Sequence, residues 1–84
     1  MFEYNPKDYK ILLVDDDKLV LEGLQILLED DYDLLSATSG LEALEIAQKD
    51  SSVGVVVMDI KMPQLDGIEA ARRLRELTPD VPVI

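Results

Sequence analysis

The chain has 84 residues, 48% of them hydrophobic and 31% charged, with no cysteine and no histidine. That length allows one domain with a modest core, and the composition excludes a disordered tail. Without cysteine or histidine there is no disulfide framework, no thiolate or imidazole metal site and no Ser-His catalysis.

Eighteen acids against eight bases give a formal net charge of −10. Such a surface repels nucleic acid and anionic membranes and suits cations and basic partners. The longest apolar runs, at residues 11–14 and 55–58, fall far short of the roughly 20 residues that cross a bilayer. The opening Met1-Phe2-Glu3-Tyr4-Asn5-Pro6 lacks the basic and apolar regions of a signal peptide, so a cytoplasmic location is expected.

Residues 1–9 are a polar, mixed lead-in. Ile11-Leu12-Leu13-Val14 is a continuous apolar run, which fits a strand buried on both faces of a parallel sheet. Asp15-Asp16-Asp17 follows, with Asp16 or Asp17 as an N-cap. The spacing predicts a helix over 18–29 with Val20, Leu24, Leu27 and Leu28 inward. Residues 32–37 form a weaker strand. Ser39-Gly40-Leu41-Glu42 is a capping-box pattern opening a helix to Lys49, with Leu41, Leu44 and Ala47 inward. Val53–Met58 is rich in valine and reads as a third strand ending at Asp59. A loop over 60–65 holds Met62-Pro63, and Asp66 with Glu69 repeats the capping logic. A third helix spans 67–77, with Ala70, Leu74 and Leu77 inward. After Thr78-Pro79-Asp80, the run Val81-Pro82-Val83-Ile84 begins a fourth strand.

Strands alternating with helices predict an α/β domain with a parallel sheet and right-handed crossovers. With the second strand on one side of the first and the third on the other, strand order reverses between strands one and three. Ligands bind in the crevice beyond the carboxyl ends at that point. Asp15, Asp16 and Asp59 all lie there. Two carboxylates about 5 Å apart repel by about 3 kcal/mol at an effective dielectric near 20, so protonation or a cation must relieve it. Only oxygen ligands are available, which favours Mg2+. One carboxylate could then act as a nucleophile on phosphorus.

Ile11-Leu12-Leu13-Val14-Asp15-Asp16-Asp17 resembles the first strand and acidic pair of response-regulator receiver domains. The segment from Val55 to Gly67 resembles their phosphoacceptor strand and following loop. The resemblance implies a flavodoxin-like three-layer fold, here incomplete, with strand order 2-1-3-4 and residues 1–84 as the amino-terminal part of a receiver. It implies that Asp59 is the phosphoacceptor. Mg2+ would be held directly by Asp16, mostly through water by Asp15, and also by Asp59 and the backbone carbonyl of Lys61. Pro63 and Gly67 would shape the loop beside the site. The implied partner is a histidine kinase or a histidine phosphotransfer protein, and the module itself is not an enzyme.

The family also uses a switch hydroxyl after its fourth strand and a lysine after its fifth. These lie past Ile84, so this span is expected to be impaired in signalling. Its sheet face beside the first helix is expected to be bare, favouring a homo-oligomer, possibly domain-swapped.

Asp15–Asp17 could be only an acidic capping turn, and Asp17 fits that role. Asp15-x-Asp17 resembles the aspartate nucleophile pattern of haloacid-dehalogenase-like phosphatases. A pseudo-receiver would keep the fold as a phosphorylation-independent interaction module. Arg72, Arg73 and Arg75 read as a solvated helix face rather than a nucleic-acid site.

Overall fold

The computed structural model describes residues 9–59 and 67–84. The apolar run at the start becomes strand β1 (Lys10–Val14), with Leu12, Leu13 and Val14 all buried. Successive strand residues face opposite sides, so burial of all three means both faces are covered. β1 lies between two parallel neighbours, β2 (Asp33–Ala37) and β3 (Val53–Met58), in the order β2-β1-β3. Its register runs from Lys10↔Asp33 to Val14↔Ala37 on one side and ends at Val14↔Met58 on the other.

The expected fourth position beside β3 is occupied by the last residues. A parallel bridge joins Val56 to Val83. The Val56 amide donates to the Pro82 carbonyl (2.9 Å), the Ile84 amide to Val56 (2.8 Å) and the Met58 amide to Ile84 (3.0 Å). Only the carbonyl of Pro82 is used, so its missing N–H interrupts nothing.

Three helices, α1 (Lys18–Leu28), α2 (Gly40–Lys49) and α3 (Gly67–Leu77), connect these segments. The chain steps from β1 to β2 in one direction, then back across to β3 and on to Val83. Right-handed crossovers therefore put α1 on one face and α2 and α3 on the other. The main core lies on the second face: Leu12, Val14, Val56 and Met58 pack with Ala43, Leu44, Ala47, Ala70, Ala71 and Leu74.

The caps follow the sequence. The Asp17 carboxylate accepts from the Leu19 amide at 2.9 Å, so Asp17 and not Asp16 is the N-cap of α1. The Ser39 hydroxyl accepts from the Glu42 amide at 3.1 Å. Glu42 reaches back one residue further than a standard capping box, to the Thr38 amide at 3.0 Å.

Four residues expected on inner helix faces are exposed: Val20 and Leu27 on α1, Leu41 on α2 and Leu77 on α3. On α1 the buried residue is Leu21, with Leu24 and Leu28 half-buried, while Leu27 is 74% exposed. The α1 sequence is apolar nearly all round, so periodicity does not fix which stripe meets the sheet. Leu41 and Leu77 sit in terminal turns, and the buried side chains of α2 and α3 belong to residues 43, 44, 47, 70, 71 and 74. Ala43 and Ala71 are buried in the same core cluster, where α2 and α3 pack closely against each other. On the sheet face that carries α1, Leu13 is buried and Val55 and Val57 are half-buried.

Candidate metal centre

Asp15 and Asp16 directly follow β1, and Asp59 directly follows β3. The ladder continues one step past the strands. The Asp15 amide donates to the Ala37 carbonyl at 3.1 Å, and the Asp59 amide to the Val14 carbonyl at 3.0 Å. These two bonds hold both backbones level at the carboxyl end of the sheet. The Asp15 carboxylate then accepts from the Asp17 amide at 2.9 Å, a local turn that orients its side chain.

As a result, one carboxylate oxygen from each of Asp15, Asp16 and Asp59 lies within 4.8 Å of the others. Asp15 and Asp59 are half-buried and Asp16 is exposed. At an effective dielectric near 20, each such pair repels by about 3 kcal/mol. A hard divalent cation with an affinity for oxygen relieves that repulsion, and Mg2+ fits an all-carboxylate set that leaves room for water. The structure thus brings together the three aspartates singled out in the sequence. Gly67 opens α3. Lys61, Pro63 and the cap at Asp66 lie outside the described residues. Asp15 and Asp17 do not act as a pair facing one site, because the Asp17 carboxylate is engaged at the start of α1.

A hydrogen-bonded ion pair at the opposite end of the sheet was not legible in the sequence. Lys10 Nζ donates to Asp50 Oδ2 at 2.8 Å. Asp50 Oδ1 accepts from the Ser52 amide at 2.9 Å and from the Ser52 hydroxyl. The hydrogen bonds from Lys10 and Ser52 hold the Asp50 carboxyl down to about 2, and Asp50 pushes the Lys10 ammonium up. On α3, hydrogen bonds from Arg72 and Arg73 hold Glu69 down to about 2. Arg72 also pairs with Glu76. Both Arg72 and Arg73 are exposed, which is the solvated helix face expected of that cluster.

The family model for the response regulator receiver domain matches residues 11–84. The chain belongs to the response regulator receiver family. This receiver is 41% identical over 76 residues to the response regulator MprA of Mycobacterium leprae, covering 89% of this chain and 33% of that protein. It is equally similar to MprA of Mycolicibacterium vanbaalenii, at 41% over 76 residues with 32% of that protein covered. The receiver therefore spans about a third of the length of these curated relatives. Among solved structures, a receiver domain protein from Clostridium thermocellum superposes with a TM-score of 0.84 at 38% identity, covering 89% of this chain and 61% of that one. TrrA from Thermotoga maritima, solved in complex with Mg(2+)-BeF, gives a TM-score of 0.81 at 33% identity, covering 89% and 65%. The likeness extends to the incomplete flavodoxin-like sheet. Among the described residues, no helix is long and apolar enough to cross a membrane.

Proposed function

We propose that this receiver accepts a phosphoryl group on Asp59 from a histidine kinase or a histidine phosphotransfer protein, with Mg2+ held by Asp15, Asp16 and Asp59. The observation that carries the reading is the meeting of three carboxylates from two adjacent strand ends within 4.8 Å. A relative 33% identical to this chain, TrrA, is solved with Mg(2+)-BeF, which supports the same chemistry here.

Asp16, the exposed member, and Asp15, turned by the Asp17 amide, would hold Mg2+ together with Asp59, and the ion would supply positive charge against the phosphoryl oxygens. The backbone carbonyl of Lys61, which lies outside the described residues, would add a fourth oxygen, as the resemblance to the family implies. Asp59 supplies the nucleophilic carboxylate oxygen. A P–O bond forms to it as the P–N bond to the donor imidazole breaks, and the imidazole leaves with the electron pair and is protonated by solvent. The Asp59 amide bond to Val14 keeps the nucleophile level with Asp15 during the transfer. The chain receives the group and does not turn over substrate.

Incubation with acetyl phosphate and Mg2+, followed by intact mass and peptide mapping, tests the reading. One acyl phosphate on Asp59 is expected, absent in Asp59→Asn and reduced in Asp16→Ala. Label on Asp15 would point to a phosphatase-like nucleophile, and no label at all to an interaction module.

The exposed Leu19, Val20, Ile26 and Leu27 of α1 also give this chain an apolar surface for a second copy. Sedimentation at micromolar concentration should find a dimer; a monomer would overturn self-association and leave the phosphoacceptor role intact.

A further inference from the structure

The β1–β3 pair changes register once. Lys10 lies opposite Val53, but Ile11 lies opposite Val55. Gly54 is therefore one surplus residue on β3. In an unbroken strand, side chains alternate faces, so Val53 and Val56 would point to opposite sides. Both are buried in the single cluster shared with α2 and α3. The surplus residue turns Val53 back into that core.

The shift also reaches the carboxyl end. Carried on without it, the Lys10↔Val53 register would set Asp15 level with Met58. With it, Val14 pairs with Met58 and Asp15 comes level with Asp59. A slip of one residue would also turn Val56 and Met58 out of the core.

The amino end is fastened separately. The Lys10 amide donates to the Ser52 carbonyl at 2.9 Å, and the Lys10 ammonium binds Asp50, which in turn holds Ser52. The start of β1 is thus tied to the turn that enters β3. One end demands one register and the other end demands the next. The residue between them also has to lack a side chain, because a Cβ at position 54 would lie 2.7 Å from the Tyr9 Cβ. That atom is attached to the backbone, so turning the Tyr9 ring relieves nothing. The chain beside Lys10 would have to move.

We propose that Gly54 is a positioning residue for the carboxylate cluster, a register adapter that absorbs one surplus residue so that the Lys10 clasp and the Asp15–Asp59 alignment coexist. Its functional readout rests on the Mg2+ reading above; its geometry does not.

The test is Gly54→Ala in the whole chain, read by Mg2+ titration and by hydrogen exchange of the Asp59 amide, which is bonded to Val14. Mg2+ affinity should fall about tenfold, the low end for changes that disturb metal-ligand orientation. Asp59 exchange should accelerate by a similar factor. Adding Tyr9→Gly should restore both, whereas Tyr9→Ala, which keeps the offending Cβ, should not. A merely structural role would lower the urea midpoint and leave the Mg2+ affinity of the folded chain unchanged, and that result would overturn the proposal.

If Gly54→Ala does not fold, the Gly54→Ala, Tyr9→Gly double variant decides: folding with the Mg2+ affinity and Asp59 protection of the unmodified chain supports the adapter, and failure to fold, or folding without them, overturns it. If the unmodified chain binds no Mg2+ while Asp59 exchange responds as described, the metal reading fails and the adapter stands.

Discussion

The two ends of the β1–β3 pair treat aspartate in opposite ways. At the amino end, Asp50 accepts from Lys10 and Ser52 and is held down to about 2. At the carboxyl end, Asp15, Asp16 and Asp59 bring three like charges within 4.8 Å. One end is neutralised by the chain's own lysine. The other concentrates negative charge where the strand order reverses, a place that a cation can enter. Residue type alone does not separate a paired acid from a clustered one here. Among the described residues, what separates them is the company the fold gives each acid: a lysine at Asp50, two further carboxylates at Asp59.

The largest effect that would sharpen this contrast is Mg2+ stabilisation confined to the carboxyl end. Mass action gives about 1.4 kcal/mol at tenfold excess over the dissociation constant, and a domain of this size gains roughly 4–8 °C per kcal/mol. Thermal unfolding with and without Mg2+ measures it. Asp16→Ala and Asp59→Ala should abolish the shift, and Lys10→Met should leave it unchanged. A shift that survives both aspartate substitutions would mean that the ion acts elsewhere.

A smaller effect of opposite sign should appear without the metal. Asp59→Asn removes one repelling charge and should raise the urea midpoint. Asp50→Asn removes a paired charge and should lower the midpoint. Both differences should shrink in high salt. If the two substitutions move stability in the same direction, the two ends are not electrostatic opposites.

These contrasts also show where sequence reading succeeds and where it stops. The strands were legible because Ile11-Leu12-Leu13-Val14 and Val53–Met58 are apolar without alternation, a pattern that only double-sided burial explains. The acidic centre was legible because β1 and β3 each end in aspartate and the strand order makes those ends neighbours. The inner faces of the helices were less so. On α1, apolar residues at 19, 20, 21, 24, 26, 27 and 28 offer several stripes, and only the sheet selects 21-24-28. Ala43 and Ala71 are too small to register as core formers until a close approach requires them. The register shift at Gly54 and the Lys10–Asp50 pair, 40 residues apart in sequence, have no local signature. Each depends on which strands meet and at what height.

The smallest effect belongs to the clasp itself, and its pH dependence carries a definite sign. Hydrogen bonds from Lys10 and then Ser52 lower the Asp50 carboxyl from 3.8 to about 2 on folding. A lowered folded value means that the stabilisation is present above 3.8 and is lost as pH falls through about 2. Lys10 is raised above 10.5, mainly by its hydrogen bond to Asp50, with Asp33 adding a weaker attraction. Its contribution is present below 10.5 and disappears as pH rises through the higher folded value. The clasp therefore acts between these limits. It remains modest, because both side chains are partly exposed and such pairs are screened by solvent. Glu69, lowered to about 2 by Arg72 and Arg73, loses its own contribution over the same acid range, so the acid limb of the unmodified chain alone does not report the clasp. The difference between the unmodified chain and Lys10→Met does report it. Urea midpoints should separate the two chains near neutral pH and converge as the medium is acidified through the Asp50 range. A separation that stays constant from neutral pH down to about 2 would show that Lys10 fastens the amino end of β1 by packing alone, and the electrostatic contrast between the two ends would then rest on Asp15, Asp16 and Asp59.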